Sequence, residues 1–420
     1  MADTFPPDTN RGAGTKRDVK SGKVADFRYK PSSQHNETQR SCENRARKDA
    51  ETAGPKRNKA TGEAGARASR LPPRSTFRSS RPNEAYAALD LGTNNCRLLI
   101  ARPSGNKDFT VIDAFSRVVK LGEDLASTGR LSDEAMDRAL GALSICADKL
   151  RRRKVRLARS VATEACRRAE NGPAFIERVR RETGIALDII SAEEEARLAV
   201  LGCHILLEQG DGPAVIFDIG GGSTELVLVE PSGKVPRILD WQSVPWGVVS
   251  LTDTVGTSEG DEAARIARYA EMRRVVSESF APFAERIADA AGHEDIRLLG
   301  TSGTVTTLAS LHLELPHYDR KAVDGLIVPS QSMRRISEDL SHMSPEQRSE
   351  LPCIGNDRAD LVVAGCAILE SILDLWPAQR LGVADRGIRE GILRSLMAAE
   401  RQSERALQAL HDSRASKPSD

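Results

Sequence analysis

Two stretches of this 420-residue chain are built to one plan. Residues 85–102 (AYAALDLGTNNCRLLIAR) are an apolar run, a Gly/Asn turn led by Asp90, and a second apolar run; residues 213–230 (PAVIFDIGGGSTELVLVE) repeat the plan around Asp218. Each reads as two β-strands joined by a tight turn. Aligned on their aspartates, the stretches lie 128 residues apart, too far for a solenoid repeat. The spacing suits two related domains, each opening with a strand-turn-strand element, whose turns would face one another across a cleft.

Elsewhere strand-like and helix-like stretches alternate, the pattern of an α/β fold. Ser132 through Arg153 is a predicted helix with a capping Ser, acids in its first turn and Arg151, Arg152 and Arg153 in its last, as the helix dipole prefers. Residues 155–162 read as a strand. Ser191 and Glu194 form a capping-box pair, and Leu198, Leu201, Ile205 and Leu206 then recur on one helical face. Glu195 is thereby placed in the first turn of that helix.

Charge divides the chain unevenly. Residues 1–84 carry 19 Lys/Arg against 10 Asp/Glu, a local net of +9 that leaves −8 on the rest. This leader has a single Leu (Leu71) and no Ile, so it cannot bury enough apolar surface to offset the entropy of ordering, and it is expected to be disordered. A solubilising tail and a basic arm that concentrates a polyanion both fit it. The polar end from about residue 399 is expected to fray. No stretch approaches the roughly 18 apolar residues of a membrane span, and the N-terminus does not read as a secretion signal. Seven scattered Cys with no C-x-x-C spacing argue against a disulfide framework or a cysteine zinc site, and a reducing cytoplasm fits them.

The turns have definite chemistry. Glycines permit close backbone approach and positive φ, so successive N–H groups can cradle phosphate oxygens while the neighbouring Asp holds a metal or its water. An ordinary hairpin would explain either turn alone; two copies in matching context argue for phosphate. A third Gly-rich element, residues 298–311 (LLGTSGTVTTLASL), runs from a strand into a helix whose N-terminus favours an anion. It lacks P-loop spacing, and the chain has no G-x-G-x-x-G.

The three Gly-rich segments together resemble the actin, sugar-kinase and heat-shock ATPase superfamily. Four further segments narrow the likeness: ATEACRRAENGPAF (162–175), ISAEEEARLAVLG (190–202), LPCIGNDRADLVVAGCAIL (351–369) and VADRGIREGIL (383–393). In this order, over roughly residues 85–398, they resemble the exopolyphosphatase / guanosine pentaphosphate phosphatase (Ppx/GppA) family. The resemblance implies two related actin-like (ribonuclease H-like) α/β domains flanking a phosphate-binding cleft. It divides the chain into the leader (1–84), a first domain (85–208), a second (209–378), a strand and helix returning to the first (379–398) and a disordered tail (399–420).

The resemblance also implies roles. Gly92, Thr93, Asn94 and Asn95 fall on the first phosphate turn, Gly220, Gly221, Gly222 and Ser223 on the second, and Gly300, Thr301, Gly303 and Thr304 on the third element. Asp90, Asp218 and Glu225 would hold Mg²⁺ or another divalent metal. Glu195 would be the catalytic base and Arg167 the phosphate-contacting arginine. Read without the family, Glu195 is equally a carboxylate stabilising a helix dipole; the plainer alternative for Arg167 is a surface salt bridge. Thr93, Asn95 and Ser302 stand where the family pattern has Ser, Ser and Gly, which puts substrate preference in doubt. Longer family members carry a C-terminal helical domain with a His-Asp signature; here the one His-Asp pair, His411-Asp412, lies in the polar tail.

Three functions remain in contention. A metal-dependent phosphoanhydride hydrolase needs charge neutralisation, a divalent metal and a carboxylate for water, all of which these residues offer. Its substrate would be inorganic polyphosphate or guanosine pentaphosphate. A nucleotide-dependent kinase is disfavoured by the hydrolase-type Glu-Glu-Ala-Arg segment, and a catalytically weak polyphosphate or alarmone sensor by the intact Glu195, Asp218 and Glu225. A homodimer is left open. No aromatic platform for nucleic acid is visible, and Trp241, Trp246 and Trp376 are assigned to packing.

Overall fold

The computed structural model describes residues 84–104, 108–210, 212–231, 235–257, 260–291, 296–355 and 358–415, the last six by backbone alone. The basic leader, residues 1–83, lies outside the described residues.

Eleven strands occur among the described residues: β1 (Ala85–Leu91), β2 (Asn95–Pro103), β3 (Phe109–Val118), β4 (Val155–Ala162), β5 (Leu187–Ile189), β6 (Ala214–Ile219), β7 (Thr224–Glu230), β8 (Arg237–Val244), β9 (Arg297–Thr301), β10 (Ile327–Pro329) and β11 (Arg380–Ala384). They form two sheets, ordered β3-β2-β1-β4-β5 and β8-β7-β6-β9-β11-β10. In each, three antiparallel strands come first, and two parallel strands follow on the far side of the leading one. The second sheet adds β10, antiparallel to β11, at its edge. The repeat legible in two hairpins is thus a repeat of whole five-stranded sheets, the architecture of paired actin-like domains.

β1 and β6 read as continuous apolar runs because they are covered on both faces. Ala87, Leu89 and Leu91 pack with Leu140 and Leu143 of the helix Asp133–Arg152, while Tyr86 and Ala88 turn to Leu198, Ile392 and Leu396. In the second sheet Val215 and Phe217 join the large core beneath the helices Glu262–Ala291 and Leu361–Leu375. Ala214 and Ile216 pack with Ala196, Val200 and Cys203. The helix Ala192–Cys203 therefore sends Leu198 to the first sheet's core and Ala196 and Val200 to the second's. Its N-terminal turn, which carries Glu195, is fixed between the two halves.

Several expectations need correction. Only the helix Ile388–Ala415 returns to the first half, packing on β1 and the helix Ala192–Cys203; β11 stays in the second sheet beside β9. That helix runs on to Ala415, since AAERQSERALQAL is rich in strong helix formers, so the tail is helical through there. The Ser191 hydroxyl accepts from Glu194 N–H, but the Glu194 carboxylate is claimed by Arg159 and Arg197, and the box is only half made. Ile205 leaves the apolar face: the α-helix ends at Cys203, and Ile205 is exposed in a 3₁₀ turn. No described helix is long and apolar enough to cross a membrane.

Candidate active site

Both Asp-led turns line one cleft that opens to solvent. They are closed identically: Gly92 N–H donates to Asn95 O and Gly220 N–H to Ser223 O, each across 2.9 Å. None of Gly92, Gly220, Gly221 and Gly222 has the positive φ that the sequence allows for them. Their smallness serves proximity instead. A Cβ on Gly221 would lie 3.0 Å from Thr93 Cβ, and one on Gly222 would lie 2.6 Å from Thr93 Oγ1. The two turns thus meet across the cleft, with Gly92, Thr93, Asn94 and Asn95 on one wall and Gly220, Gly221, Gly222 and Ser223 on the other.

The third element is split. Ser302, Gly303 and Thr304 line the cleft at the N-terminus of the helix Gly303–His312, with Ser302 Oγ capping Val305 N–H at 3.1 Å. Gly300 and Thr301 do not line it. A Cβ on Gly300 would lie 2.6 Å from Phe217 Cζ, and the Thr301 hydroxyl donates to Arg386 O at 2.7 Å, so both serve packing and loop closure rather than an anion.

Glu195 lines the cleft and is only 6% exposed. Arg167 Nη1 donates to Glu195 Oε2 at 3.0 Å and to Ile190 O at 2.8 Å, while its Nε and Nη2 donate to Glu164 Oε2 at 3.1 and 2.6 Å. The structure therefore places Arg167 behind the wall, gripping two cleft carboxylates. Sequence reasoning missed Glu164, Arg97 and Arg358, all of which line the cleft. Arg97 carried a signal: it follows Asp90 by seven residues, as Glu225 follows Asp218, and each is the direct cross-strand partner of its aspartate. Arg358 lies in the family-like segment 351–369, but no spacing ties it to the glycine turns, because it enters from a distant part of the chain.

A model of the Ppx/GppA phosphatase family matches residues 99–400. The chain belongs to that family. It is 30% identical over 322 residues to exopolyphosphatase 2 of Mycobacterium tuberculosis, across 74% of this chain and 98% of the relative. It is 27% identical over 318 residues to the guanosine-5'-triphosphate,3'-diphosphate pyrophosphatase of Aliivibrio fischeri, across 75% of this chain and 60% of that protein. The Ppx/GppA family member of Aquifex aeolicus superposes with a TM-score of 0.61 at 28% identity, over 76% of this chain and 98% of that one.

The electrostatics of this Ppx/GppA cleft are those of crowded acids. Burial, reinforced by Glu225, pushes Asp218 up to about 8 and Glu195 well above the usual carboxylate range. Burial likewise raises Asp90 and Glu225. Among the described residues no three His, Cys, Asp or Glu side chains stand close enough to form a protein-only metal cage, so Asp90, Asp218 and Glu225 do not converge as a closed ligand set. Mg²⁺ does not require one; it is commonly held by one or two carboxylates, substrate phosphates and water. Asp90 Oδ1 is buried without a hydrogen-bond partner, and the raised Asp218 wants a cation beside it, so this pair fits that role. Glu225 fits it less well, because its Oε1 already accepts from Ser223 Oγ at 2.7 Å and Ser243 Oγ at 3.0 Å.

Proposed function

We propose that this Ppx/GppA phosphatase is an exopolyphosphatase, releasing terminal orthophosphate from inorganic polyphosphate by attack of water on the terminal phosphorus. The observation that carries the reading is Glu195: a buried carboxylate on the wall of the cleft where two glycine turns meet, its one oxygen fixed by Arg167. Gly92 and Gly220 spend their N–H groups closing the turns, which leaves the N–H groups inside each turn as donors to phosphoryl oxygens. Arg97 and Arg358 supply positive charge at the same cleft. Glu195 Oε1 is free of the Arg167 bond and is the basic oxygen that orients water and takes its proton; burial raises its pKa, which makes its ionised form a stronger base. Mg²⁺ held by Asp90 and Asp218 would neutralise charge on the phosphoryl oxygens.

Polyphosphate is favoured over guanosine pentaphosphate because the match spans 98% of the exopolyphosphatase relative against 60% of the pyrophosphatase, and because the described residues lining the cleft include no aromatic ring for a guanine. The test is orthophosphate release from polyphosphate, guanosine pentaphosphate and ATP in parallel, with Mg²⁺ and with chelator. Fastest release from polyphosphate, abolished by chelator, is expected; faster release from guanosine pentaphosphate would overturn the substrate.

A further inference from the structure

Arg167 stands one side chain behind the cleft, since Glu164 and Glu195, both of which it holds, line the wall. Its two edges are used differently. Nη1 serves Glu195 and Ile190 O, while the Nε–Nη2 edge is taken entirely by Glu164 Oε2. That edge is the fork with which a guanidinium grips a carboxylate or a phosphate. Glu164 also reaches the second glycine turn, where a Cβ on Gly222 would lie 3.0 Å from Glu164 Cγ. A protein carboxylate thus sits beside the phosphate turns, on the arginine edge best shaped for a phosphate.

We propose that Glu164 is a built-in competitor for phosphate: it occupies the Arg167 fork in the free protein, and a phosphoryl group entering between the turns takes the fork from it. The proposal rests on the polyphosphate reading only for the identity of the anion. Because Arg167 holds Glu195 through a different nitrogen, the exchange leaves the Glu195 contact in place. Glu164 then sets affinity rather than turnover. Its charge acts in the same direction, since an anion beside the turns repels an incoming polyanion. Were Glu164 merely a brace for Arg167, its loss would loosen Glu195 and lower kcat instead.

Orthophosphate binding measured by calorimetry in Mg²⁺, alongside tripolyphosphate hydrolysis, separates these roles in the parent protein, Glu164→Gln, Arg167→Gln and the double variant. Glu164→Gln keeps size and an acceptor oxygen but removes the charge. It should bind orthophosphate about tenfold more tightly and lower KM by a similar factor with kcat nearly unchanged, the worth of one partly exposed charge-assisted bond. In the Arg167→Gln background the gain should shrink to the part that relief of charge repulsion alone supplies, and an undiminished gain would overturn the proposal. Unchanged or weaker orthophosphate binding would overturn the proposal, as would a lower kcat at constant KM. Should the binding gain appear while the parent protein hydrolyses no polyphosphate, the competitor role stands and the substrate reading falls.

Discussion

Arg97 and Glu225 occupy equivalent positions in the two halves of the molecule, each directly across its hairpin from the aspartate one residue before the end of the leading strand, yet they carry opposite charge. Asp90 therefore has a cation at its side, while Asp218 has a second acid. Arg97 helps to draw Asp90 down against its burial, whereas Glu225 adds to the burial of Asp218. The duplicated fold thus presents one cleft with two electrostatically different walls.

The first prediction concerns stability against pH. The folded pKa of Asp218, about 8, lies above its ordinary 3.8, so the folded protein holds a proton that the unfolded chain has already lost. In the absence of metal, stability contributed at this site falls as pH rises from about 4 through about 8. Asp218→Asn removes that loss. Its melting temperature in chelator should exceed the parent's by a margin that widens from about pH 5 to about pH 8; a constant margin would show that Asp218 is not protonated in the fold.

Metal dependence should rank the three acids. Asp90→Asn and Asp218→Asn should raise the half-saturating Mg²⁺ for activity by about 10- to 100-fold, whereas Glu225→Gln should raise it less, because Ser223 and Ser243 already occupy Glu225 Oε1. Activity titrated against Mg²⁺ reads the order directly, and an equal or larger shift for Glu225→Gln would reverse the assignment.

Two glycine substitutions should separate the cleft from the scaffold. A Cβ on Gly222 meets the side chains of Thr93 and Glu164, so Gly222→Ala should misplace the facing turns and cut kcat by about 10²-fold with little change in melting temperature. A Cβ on Gly391 would run into the backbone carbonyl of Leu198, where neither helix can give way. Gly391→Ala should therefore cost about 1–3 kcal/mol of stability, measured by denaturant unfolding.

What was legible in the sequence is what local pattern dictates. The hairpins, β4 and the helix Asp133–Arg152 are found where periodicity, turns and capping place them. β3 and β8 were not singled out, because each is half solvated and rich in polar residues, and their pairing comes from the neighbouring strand rather than from their own composition. In the site, the residues carried by the turns and by Glu195 were readable. Gly300 misled, because a glycine beside a turn looks like an anion cradle whether the missing side chain makes room for phosphate or, as here, for the Phe217 ring. Arg358 and the engagement of Arg167 by Glu164 depend on tertiary placement that no local spacing encodes.

The central claim is that Glu195 activates water, and its neighbour supplies the control. Glu194 is held below the usual carboxylate range by hydrogen bonds from Arg197 and Arg159, which outweigh its burial, and it does not line the cleft. Measured with saturating polyphosphate and Mg²⁺, Glu195→Gln should lower kcat by about 10²- to 10⁴-fold with substrate affinity preserved, while Glu194→Gln should remain active. Equal turnover by the two variants would contradict the account and leave Glu195 as a helix-end carboxylate.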